Sequence, residues 1–62
     1  MQVKVFRRAI KDLQHLEAEI NDWLKANVTL VTIQRESHVY HNHVSGEDDL
    51  VIMLWYGRRN EV

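Results

Sequence analysis

The sequence predicts an α+β domain of order strand–helix–strand–strand: one helix packed on a three-stranded mixed sheet that homo-oligomerisation completes. Three observations predict it. Gln2 to Phe6 alternates polar and apolar residues, a long stretch with helical spacing follows, and Leu50 to Tyr56 is an unbroken apolar run.

In the first segment, Val3 and Val5 share one face of a short half-buried strand. Ile10, Leu13, Leu16, Ile20, Trp23 and Leu24 then recur mostly at spacings of three and four, which predicts an amphipathic helix over roughly residues 8 to 26. Asn27, tolerant of a left-handed backbone, stops it. Val28 to Tyr40 is rich in β-branched residues and forms the second strand. Asn42, Ser45 and Gly46 mark a turn in the polar stretch that follows. The third strand is Leu50 to Tyr56, closed by Gly57, Arg58 and Arg59, and the last residues fray.

Sixty-two residues make one domain, 1–62. So short a chain buries only about 60% of the surface its unfolded form exposes, and small folds compensate with disulfides, metals or a partner subunit. The sequence has no cysteine, which removes disulfides and thiolate metal sites. A formal net charge of −1 argues against generic DNA or RNA binding. A hydrophobic content of 45% argues against disorder. No run approaches the ~20 apolar residues of a membrane helix, and the N-terminus lacks a signal peptide's apolar core. A cytoplasmic protein is the expectation.

The last strand carries the architectural argument. Leu50, Ile52, Leu54 and Tyr56 point to one face and Val51, Met53 and Trp55 to the other, as in a strand buried on both sides. One helix covers one face. Val51, Met53 and Trp55 are therefore the expected oligomer interface, with another copy of the chain as the simplest cover. A solvated face with a few exposed hydrophobes is the plainer alternative.

A strand–helix–strand crossover makes the first two strands parallel, with the third lying between them. That topology brings the helix N-terminus and the loop before the third strand to one edge of the sheet. Arg7, Arg8 and Lys11 then meet His38, His41 and His43. Cations at a positive helix end call for an anion, and such an end binds phosphate or carboxylate. Arg7, Arg8, Lys11, Tyr40, His41 and His43 are the candidate ligand-binding residues, Tyr40 by stacking. Solvation, or pairing with Glu47, Asp48 and Asp49, accounts for the same cations without a ligand. The histidine spacing fits no regular metal site, so no metal and no cofactor are expected. His15, alone on the helix, is a flank position. Trp23 is core by spacing, Trp55 and Tyr56 are core or subunit contact, and Arg58 and Arg59 lie at the opposite edge.

Enzyme readings are poor. No Ser or Cys nucleophile has a spaced base, no carboxylates pair convincingly, and no glycine-rich phosphate loop exists. Oxalocrotonate tautomerases share the element order but need an N-terminal proline, where this chain has Met-Gln. The flavin-storing dodecins share only the broad order of elements.

Three stretches resemble the short sporulation-induced protein family of endospore-forming bacteria, also seen in their phages. They are Val3–Phe6 (VKVF), Leu16–Lys25 (LEAEINDWLK) and the strand ending at Trp55-Tyr56. The histidine-rich stretch Arg35 to Asp49 departs from that pattern. The resemblance implies a small cytoplasmic protein without an established activity, and it carries over no functional residue.

Three functional readings follow. The first is a non-enzymatic homo-oligomer holding a small anionic or nucleotide-type ligand between subunits, which in a phage would sequester a host signalling nucleotide. The second is a protein-interaction module using the sheet face of Val51, Met53 and Trp55 on a host or sporulation partner. The third, a small enzyme, ranks last.

Overall fold

The computed structural model describes residues 1–59. The elements run β1 (Gln2–Ala9), a 3₁₀ turn (Ile10–Asp12), α1 (Leu13–Ala26), β2 (Leu30–Asn42) and β3 (Glu47–Arg58). One helix on a three-stranded sheet is the expected α+β architecture.

The sheet is antiparallel throughout, not mixed, with order β1-β3-β2. The crossover does leave β1 and β2 pointing the same way, but β3 separates them. Each neighbouring pair is therefore antiparallel, and no parallel ladder exists among the described residues.

Element ends also differ from expectation. β1 runs on through Arg7, Arg8 and Ala9, which pair with Val51, Leu50 and Asp49. The helix accordingly starts later, with a 3₁₀ turn before α1. Neither Ala9 nor Asp12 supplies a side-chain cap at these starts. Asn27 does stop the helix, but with φ −128° rather than left-handed. Its Nδ2 donates to the Trp23 carbonyl at 2.8 Å and its backbone N–H to Leu24 at 3.2 Å, satisfying carbonyls the last turn leaves open.

β2 and β3 reach past their apolar cores because polar residues pair across the hairpin, His41 with Asp48 and Asn42 with Glu47. The hairpin turn is built by Asn42. Its Oδ1 accepts the N–H groups of Val44 (2.9 Å) and Ser45 (3.2 Å). Its carbonyl accepts the Gly46 N–H at 2.8 Å. Gly46 has φ +75°, a conformation that disfavours a side chain. The expected frayed tail, residues 60–62, lies outside the described residues.

Helix and sheet enclose a small core. Phe6, Leu16 and Leu54 are buried together, with Ile20, Trp23, Leu50 and Ile52 packed around them. Trp23 meets Phe6 and Tyr56 edge-on, at ring-centroid distances of 6.1 and 5.1 Å. The Lys4 ammonium lies 5.3 Å from the Phe6 ring centroid, on the same side of the sheet. Every alternate residue of β3 thus faces α1, as the apolar run predicts.

Candidate functional site

The register assigns the opposite, open face. Val3 stands beside Trp55, Val5 beside Met53 and Arg7 beside Val51. From β2, Gln34, Glu36 and His38 flank the same three β3 residues. Among the described residues no element covers this face, since α1 occupies the other side. Val3 is 46% and Val5 51% exposed, and Met53 and Trp55 are partly exposed. Val51 is already buried, enclosed between its Arg7 and His38 neighbours, and has little left to give a partner. Of the three expected interface residues, Met53 and Trp55 remain available, and Val3 and Val5 join them from β1. Their alternation in Gln2–Phe6 was legible, but not which face they would take.

The candidate ligand residues do not form one cluster. Arg7 and Arg8 belong to β1 rather than to the helix start, so the sheet's alternation sends them to opposite faces. Arg7 Nε donates to Asp49 Oδ2 at 3.0 Å, and Arg8 Nε donates to Glu19 Oε2 on α1 at 3.0 Å. Lys11 alone adjoins the helix start, and its Nζ donates to Glu47 Oε1 at 2.9 Å. That hydrogen bond and the Glu47 charge raise the Lys11 ammonium above its ordinary pKa. Tyr40 lies in β2 opposite Asp49, on the open-face side, and its ring is 6.1 Å from that of His38.

Lys11 and His41 do come together. With Ile10, Gly46, Glu47 and Asp48 they line a shallow concavity of about 500 Å³ at the hairpin end of the sheet. His41 Nδ1 lies 2.9 Å from Asp48 Oδ1, and its ring packs edge-on against His43 at 5.0 Å. The crowding of cations at a helix end, which pointed to an anion, is therefore replaced by separate carboxylate partners. His38 and His41 sit at odd spacing in β2 and project to opposite faces. Among the described residues, no three His, Asp or Glu side chains converge on a metal position.

Asp49 is the site residue that sequence reasoning missed. It is 7% exposed and accepts hydrogen bonds from Arg7 (3.0 Å) and from Asn42 Nδ2 (3.2 Å). An acidic triplet after a glycine reads as loop. Only the pairing of β3 with both neighbours places its third member inside the sheet.

No protein-family model matches the chain, and no curated protein or solved structure matches it.

Proposed function

We propose that the chain is a non-enzymatic, self-associating protein whose open sheet face, Val3, Val5, Met53 and Trp55, is the contact surface between two copies. One observation carries the reading: an apolar face on the central and first strands with nothing over it among the described residues. Its energetic motive is the size of the core. Only Phe6, Leu16, Val51 and Leu54 are buried hydrophobics, while Leu13, Leu24, Ile33 and others stay exposed. At about 25 cal/mol per Å² of apolar surface, covering the open face is the nearest available gain. A two-fold contact needs no partner other than the chain itself. The resemblance to the sporulation-induced family fits a small protein acting through assembly rather than turnover.

The test is the solution mass of wild type against Val5→Lys. Val5 is half exposed and outside the helix-side core, so the substitution keeps the fold and places a charge at the contact. Wild type should sediment as an oligomer and the variant as a monomer. Equal masses for the two would remove the face from the contact.

A second reading keeps a small anionic or nucleotide-type ligand at the Lys11–His41 concavity, favoured by the convergence of those two donors. Such an anion displaces Glu47 and Asp48 from their present partners. Titration with inorganic phosphate, followed through the Lys11, Gly46 and Glu47 amide resonances, decides it. Saturable shifts lost in Lys11→Ala support the ligand site, and their absence sets it aside.

A further inference from the structure

We infer that the outer edge of β2 pairs antiparallel with the same strand of a second copy, about a two-fold axis through Ser37, extending the sheet from three strands to six. This contact uses a surface distinct from the open face and does not depend on it.

β2 is an edge strand of 13 residues, bonded to β3 on one side only. Every residue from Thr32 to His41 is exposed. α1 leans on Phe6 of β1 and on β3, away from this edge. Natural edge strands are usually blunted by proline, short length or like charge. β2 is long, the chain has no proline, and the strand's central charges are one Arg and one Glu. The register shift at Ile33 kinks the start of the strand, so the straight run is Gln34 to Tyr40. β1, the other edge, carries Lys4, Arg7 and Arg8 and no acid, and self-pairing there gathers cations.

Charge selects the register. In an antiparallel pair about a two-fold axis, residues equidistant from the axis stand opposite each other on one face. An axis through Arg35, Glu36 or His38 sets an ionisable residue against its own copy. An axis through Ser37 instead sets Glu36 against His38 twice, Gln34 against Tyr40 and Arg35 against Val39. Val39, 60% exposed in the single chain, then gains the aliphatic stem of Arg35 as cover. Gln34, Glu36 and His38 already form a hydrogen-bonded ladder along the strand, with Gln34 Nε2 to Glu36 Oε1 at 3.2 Å and His38 Nε2 to Glu36 Oε2 at 3.3 Å. Across the axis each Glu36 meets a second imidazole. With both contacts made, open face and strand edge, the assembly is a tetramer with two kinds of two-fold interface.

The cysteine-free sequence allows a direct test with single cysteines. In Ser37→Cys the two thiols stand opposite at the axis, with Cα atoms about 5 Å apart, within the range a disulfide spans. In Arg35→Cys the two copies lie four positions apart, about 13 Å along the strands, and cannot link. Mild oxidation should convert most Ser37→Cys and little Arg35→Cys to covalent dimer. The Ser37 link should persist in a Val5→Lys background, where the open-face contact is broken. In the cysteine-free chain carrying Val5→Lys, Glu36→Lys should weaken the remaining dimer about tenfold, and Glu36→Lys with His38→Glu should restore it. Equal linking at 35 and 37, no linking at 37, or loss of the link in the Val5→Lys background would overturn the edge contact.

Discussion

At Asp49 a carboxylate sits inside the sheet because two donors meet it there, Arg7 across the strands and Asn42 from the turn. The Arg7 side chain is 54% exposed against 10% for that of Asp49, so the pair is half-screened and its value is modest. Asp49→Ala is expected to lower stability by about 1–2 kcal/mol, measured by urea unfolding, chiefly through the hydrogen bonds Asn42 and Arg7 lose. Arg8→Ala, whose pair with Glu19 is exposed on both sides, should cost at most about 0.5 kcal/mol. At Lys11 the raised pKa fixes the sign of any pH effect. The pair's contribution is complete below lysine's ordinary pKa and is lost only as pH rises through the raised value. Residue chemistry was partly legible in the sequence. Three acids near three cations suggested pairing, and Arg7–Asp49 and Lys11–Glu47 are such pairs. The partner of Arg8 was not legible, because Glu19 meets it only once the helix lies across β1.

The helix and the last strand were readable because their periodicity reports the face they bury. Leu16, the most buried residue of α1, sits at the centre of the predicted apolar stripe. Leu16→Ala should cost about 2–5 kcal/mol in denaturant unfolding, since Phe6 and Leu54 cannot close over the space it leaves. A cost below about 1 kcal/mol would mean that the helix is not seated on Phe6 and Leu54. The ends of the elements were hidden for a physical reason. Arg7, Arg8 and Ala9 have helix-compatible propensity, and only their ladder with Asp49, Leu50 and Val51, more than forty residues away, holds them extended. Glu47 and Asp48 likewise read as loop, yet their cross-strand partners Asn42 and His41 make them strand. That error moved the arginines from the sheet to a helix end and produced the expectation of a single anion site.

For the whole molecule, the order β1-β3-β2 follows from one crossover and one hairpin. The strand buried on both sides in the sequence is the central one. The word "mixed" failed because β3 lies between the two parallel strands and pairs antiparallel with each. Composition already bounded the rest: 62 residues without cysteine hold a core of few side chains and leave an apolar sheet face to be covered. The open-face claim is tested most directly by sedimentation equilibrium of wild type and Val5→Lys at matched concentrations, with far-UV circular dichroism confirming the fold of each. The account predicts that wild type is an oligomer and that Val5→Lys loses the open-face contact, falling to a dimer if the β2 edge holds and to a monomer if it does not. Wild type sedimenting as a monomer at 7.4 kDa, or both proteins at the same oligomeric mass, would contradict it.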